Sequence, residues 1–95
     1  MDRKHQISLL IGVVEHYQLG LVSLNVLVSK IEGLLAVIED SQFKDDVFDS
    51  LVALEEVNAL MLAGQFDFEK HGKHVVERAA VDILGKAEAY RDRQA

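Results

Sequence analysis

Apolar positions recur along this chain with the three-to-four-residue period of an α-helix, in four blocks separated by short polar or glycine-containing breaks. In the first block Ile7, Leu10, Ile11, Val14 and Tyr17 share one side, while Lys4, Ser8, Glu15 and Gln18 take the other. That pattern predicts a helix over about residues 3–18, with Gly20 as its stop. Ser23 then reads as an N-cap, with Val22 and Leu27 at the spacing of a hydrophobic staple. A second helix over about 23–39 presents Leu24, Leu27, Val28, Ile31, Leu34, Leu35 and Ile38 opposite Ser29, Lys30 and Glu32. The valine-rich run from Leu21 to Ser29 could suit a strand, but the period continuing to Ile38 favours the helix.

An acidic turn, Glu39-Asp40-Ser41, leads into the third block. Ser41 is placed to cap it, and Asp45 and Asp46 fall in its first turns, where carboxylates complement the helix dipole. Val47, Phe48, Leu51, Leu54, Val57, Asn58 and Met61 mark the inner face of a helix over about 43–63 that ends at Gly64. Asp67 is the expected cap of a last helix over about 68–91. Its stripe is Val75, Val76, Ala79, Ala80, Ile83, Leu84, Ala87 and Tyr90, and the tail Arg91 to Ala95 is expected to fray. Short connections place successive helices antiparallel, so the fold class is all-α, an antiparallel bundle of about four helices in one domain over 1–95. Gly33, Gly72 and Gly85 interrupt helical patterns at about 1 kcal/mol each relative to alanine. Gly33, beside the apolar stripe, is expected to permit a close helix contact.

Composition narrows the function. Hydrophobic residues make up 49% of the 95, enough for a core, and the absence of proline leaves long helices uninterrupted. With no cysteine there are no disulfides, thiolate metal sites or thiol nucleophiles. The net charge of −6 argues against nucleic acid and against anionic membrane surfaces, and favours a basic protein partner. The plainer account of that charge is solubility. Gly12, Glu15 and His16 interrupt the apolar positions near the start, and Lys30 and Glu32 interrupt those from Leu19 to Ile38. Neither segment therefore reads as a signal peptide or a membrane span, and the chain reads as cytoplasmic.

Candidate chemistry is sparse. Ser8, Ser23, Ser29, Ser41 and Ser50 lack a nucleophile-elbow context, and no phosphate-binding glycine loop is present, so an enzyme and a resident cofactor are not expected. His71 and His74 stand three residues apart with Glu69 and Glu77 nearby, a lesser candidate for a metal pair. Two solvated histidines are the plainer reading. Glu55 and Asn58, at the edge of the third apolar face, read as a polar network fixing helix register, with Lys30 or Arg78 as partners. A recognition patch or acid–base pair is the alternative. The row Asp45, Asp49 and Glu56, flanked by Asp46, gathers like charges that cost helix stability unless a basic partner relieves them.

Two blocks carry a resemblance: Ser23-Leu24-Asn25 continuing to Lys30-Ile31-Glu32-Gly33-Leu34-Leu35 and Ile38-Glu39-Asp40, and Leu54-Glu55-Glu56-Val57-Asn58-Ala59-Leu60. Over about residues 20–64 the chain resembles the small helical bacterial immunity proteins of contact-dependent growth inhibition and polymorphic toxin systems. The resemblance implies a protein that binds its cognate toxin domain, often a nuclease, and occludes the active site. Immunity proteins diversify their binding faces, so contact residues come from the charge pattern alone: Asp45, Asp46, Asp49 and Glu56, with Glu39 and Asp40 in the adjoining turn. The rival reading is a self-associating homodimer with a structural or adaptor role. Val13, Leu21, Val37, Val52 and Leu62 supply apolar surface beyond one narrow stripe.

Overall fold

A computed structural model describes residues 3–93. Four helices follow in order, α1 (Arg3–Gln18), α2 (Leu24–Val37), α3 (Ser41–Leu62) and α4 (Lys73–Arg93), with one π-helical turn, Phe68–Gly72, just before α4. There is no strand among the described residues. Each helix packs on its chain neighbours and α4 closes against α1, while the diagonal pairs α1/α3 and α2/α4 stay apart. The connections span only 19–23, 38–40 and 63–67, so the helices alternate in direction and form an antiparallel four-helix bundle, 43 × 24 × 19 Å overall.

Local chemistry explains the ends. Gly20, at φ 78°, donates to the Tyr17 carbonyl, and Leu21 donates to that of His16, the paired bonds of a Schellman stop. Ser23 caps α2 by accepting from the Val26 N–H at 3.2 Å. The cap of α3 differs from expectation. Asp40, not Ser41, accepts from the Phe43 N–H at 2.9 Å, and the helix opens at Ser41, before the expected start. Asp67 caps as expected, accepting from Lys70, but it opens a π-helical turn in which the Lys73 N–H reaches the Phe68 carbonyl. The last helix runs to Arg93, so Arg91–Arg93 are helical, while Gln94 and Ala95 of the expected frayed tail lie outside the described residues.

The core is one cluster drawn from all four helices, centred on Ile7, Leu10, Val14, Leu27, Ile31, Val47, Leu54, Val76 and Ile83. Three expected core positions move outward: Phe48 is 49% exposed, and Met61 and Val75 are also exposed. Phe43, absent from the expected apolar face, is buried instead, its ring 4.9 Å from that of Tyr90. Of the spare apolar residues, Val13 is buried and Val52 half-buried, whereas Leu21, Val37 and Leu62 are exposed. Gly33 makes no close contact within the chain, since a Cβ there would meet nothing within 4 Å. The tight approach occurs at Gly72, where a Cβ would stand 2.7 Å from Phe66 Cε2. Among the described residues no helix is long and apolar enough to cross a membrane.

Candidate functional site: the acidic face of α3

Helix α3 carries five carboxylates and a single cation, Lys44. Asp45, Asp49, Val52 and Glu56 recur at i, i+4, i+7 and i+11, which aligns them along one side. Because Phe43, Val47, Leu54 and Val57 are drawn inward, that side faces solvent, and Asp45, Asp49 and Glu56 are all exposed. No ion pair among the described residues engages any of the three. Phe48, one turn from Val52 and three residues from Asp45, adds a half-exposed aromatic ring to this face. Arg78 of α4 borders the same face across a shallow groove shared with Asp49 and Asp82.

The other three acids expected in the contact set have different surroundings. Asp46 is half-buried, accepts from Gln42 Nε2 at 2.9 Å, and its backbone carbonyl accepts from Lys86 Nζ of α4 at 2.6 Å. Asp40 uses both carboxylate oxygens within the fold, one for the Phe43 N–H and one for the Tyr90 hydroxyl at 2.9 Å. Those two hydrogen bonds, the backbone one first, hold its carboxyl below the usual carboxylate range. Burial and the same contact raise the Tyr90 hydroxyl above its ordinary value. Glu39 is exposed, and its backbone carbonyl accepts from Arg3 at 3.2 Å. The turn Glu39–Asp40 thus knots the start of α1, the start of α3 and the end of α4. It serves the frame that holds α3 in place.

A second polar link joins α3 to α4. The Ser50 hydroxyl donates to Asp82 at 2.6 Å, and Lys86 pairs with the same oxygen at 3.1 Å. Burial would raise the Asp82 carboxyl, but these two contacts outweigh it and lower it.

On the α2 side the expected partners are replaced. Asn58 donates to Asn25 at 3.0 Å, and Glu55 meets Glu32, not Lys30 or Arg78. Lys30 lies on the α1 side of α2 and Arg78 on the α3–α4 groove, so neither faces Glu55. The hydrogen bond to Glu32, then burial, raises the Glu55 carboxyl, since two carboxylates can share this bond only with a proton between them. Its folded-state value therefore lies above 4.5, and the stability this pair contributes is present in acid and lost as pH rises through that value. Replacing Glu55 with glutamine keeps the bond and removes the repulsion. The Glu55→Gln variant should melt about 2–4 °C higher at neutral pH, the scale of one like-charge pair of about 0.5 kcal/mol, with the gain shrinking toward pH 4. Thermal unfolding followed at both pH values checks this, and an equal shift at both would dismiss the shared proton.

His71 and His74 are exposed, and the His71 ring lies 6.2 Å from that of Phe66. Among the described residues no group of three or more His, Cys, Asp or Glu side chains is placed to hold a metal ion. The residue the sequence pattern missed is Phe48, which it assigned to the core. Its offset from the Phe43–Val47–Leu54 line was the available signal. Compared with family models, curated proteins and solved structures, the chain matches none.

Proposed function

We propose that the chain neutralises a basic protein, a toxin domain of nuclease type, by covering its substrate cleft with the outer face of α3. The observation that carries this reading is the row Asp45, Asp49 and Glu56, exposed, free of ion pairs among the described residues, and set beside the half-exposed Phe48. Carboxylates spaced along a rigid helix can stand in for the phosphates that such a cleft receives. Their potential steers a basic partner toward the complex. An exposed aromatic ring among them supplies the desolvated anchor that charge alone lacks, because affinity concentrates in a few buried aromatic contacts. Asp40 and Asp46 hold the helix in position, and Glu39 extends the acidic surface at its start.

The test is capture from the lysate of the source organism with the tagged chain, eluting with a salt gradient and identifying the eluate by mass spectrometry. One basic protein is expected, released by salt because exposed charges are screened. Its enzymatic activity should fall when the chain is added back. Charge reversal at Asp45 and Asp49 together should weaken that inhibition at least tenfold, since a close interfacial charge pair contributes about 1.5 kcal/mol or more. Capture that ignores salt, or inhibition unaltered by the double reversal, would remove α3 from the interface.

A further inference from the structure

On the far side of the bundle from the α3–α4 groove, α1 and α2 enclose a groove of ≈ 450 Å³. Leu9, Gly12 and Val13 line it from α1, and Lys30, Gly33 and Leu34 from α2. Its apolar surface extends to Val37, 55% exposed on the same side of α2. No aspartate or glutamate lines it, in a chain that carries 16 of them. A Cβ at Gly12 or at Gly33 would meet nothing within 4 Å. Packing within the chain therefore calls for neither glycine, although each weakens its helix by about 1 kcal/mol relative to alanine.

We infer that this face is the contact between two copies of the chain related by a two-fold axis, with the helix backbones brought close at Gly12 and Gly33. Charge selects the occupant. Each copy carries −6, so two copies repel unless they meet over surface that lacks carboxylates. A two-fold contact sets a patch against itself, so a patch without carboxylates meets another without them. Lys30 fits such an edge, its aliphatic stem lying along the apolar wall and its ammonium remaining in water.

Size agrees. With 16 and 14 residues, α1 and α2 are about 24 and 21 Å long. Side by side they present a patch roughly 20 Å across in each direction. Two such patches bury about 800 Å² before the relief of their side chains is added, the size of a weak, reversible interface. The groove takes no lining residue from α3, so the acidic face of α3 stays open in the dimer.

Sedimentation velocity over a concentration series of the full chain tests the inference. The mass should rise from 10.6 kDa to twice that value with concentration. The Gly12→Ala, Gly33→Ala double variant should weaken association at least tenfold by filling the close approach. It should also raise the Tm of the dilute protein, because both changes improve helices in open space. Val37→Glu, at an exposed position that leaves folding intact, should weaken association to the same degree by setting carboxylates against each other. A mass of 10.6 kDa at every concentration would overturn the inference. So would growth past the dimer, which needs a different contact, or a dimer indifferent to these substitutions, which must use another face.

Discussion

Replacing Phe43 with alanine is expected to destabilise the protein by about 3–5 kcal/mol, the range for truncating a buried phenylalanine. Phe43 is 1% exposed and heads the largest fully buried side chains in the core. Its ring lies against Tyr90 at 4.9 Å, and its N–H is the donor that Asp40 caps. The cavity would open where α3 begins, where α4 ends and where the Glu39–Asp40 turn crosses both, so no single element can move in to fill it. A domain of this size has about 5–14 kcal/mol of total stability, so the loss takes roughly a fifth of it or more. Urea unfolding should show a lower midpoint at unchanged slope. Phe48→Ala provides the contrast: at 49% exposure it should leave the unfolding midpoint nearly unmoved and weaken partner binding instead. A small effect at Phe43 would mean that the Asp40–Tyr90 knot holds this end without its aromatic filling.

That contrast between two phenylalanines shows how far the pattern of residues reaches. Helix identity was legible because apolar residues at i, i+3, i+4 and i+7 cannot be buried together in a strand, and because Gly20, Ser23, Gly64 and Asp67 terminate segments by local chemistry. The start of α3 was not. Glu39-Asp40-Ser41 offers two side chains able to cap, and the choice is made by Tyr90, fifty residues away, which occupies the second oxygen of Asp40. With Asp40 as the cap the helix opens two residues before the expected 43; Phe43 is buried against Tyr90, while Phe48 lies on the solvent side.

The candidate site divides along the same line. Alignment of Asp45, Asp49 and Glu56 follows from spacing alone, so the structure keeps them together. Which acids remain available depends on their partners: Asp46 is engaged by Gln42 at i−4 on its own helix, whereas the Asp40 carboxylate is engaged by Tyr90 of α4, a contact that spacing cannot reveal. Glu55 is the sharpest case. Opposite-charge reasoning points to Lys30 or Arg78, yet the antiparallel register of α2 and α3 brings Glu32 against it and turns both cations elsewhere. Charge rules describe preferences between exposed groups. Core packing sets the register, and the charges accept the neighbours it leaves them.

Glycine at 72 gives the second large effect, of a sign that helix propensity alone gets wrong. Alanine in a helical segment is ordinarily better than glycine by about 1 kcal/mol. At Gly72 the added Cβ would stand 2.7 Å from Phe66 Cε2, 3.0 Å from Phe68 Cδ1 and 3.0 Å from Val57 Cγ1. These atoms belong to three different side chains. Val57 is held in the core by α3, and both aromatic rings are half-buried against the same cluster, so none can withdraw freely. The π-helical turn is the cause: its carbonyl at Phe68 is reached by the N–H of Lys73, and the extra residue in that turn sets the backbone at Gly72 against α3. Overpacking of this kind costs about 1–3 kcal/mol, enough to exceed the propensity gain, so Gly72→Ala should lower the Tm by several degrees. The Gly33→Ala change, with nothing within 4 Å, should raise it. Parallel thermal scans of the two variants in dilute solution separate the cases. A rise at both positions would show that Phe66 swings aside, and that contact with α3 does not hold the π-turn in place.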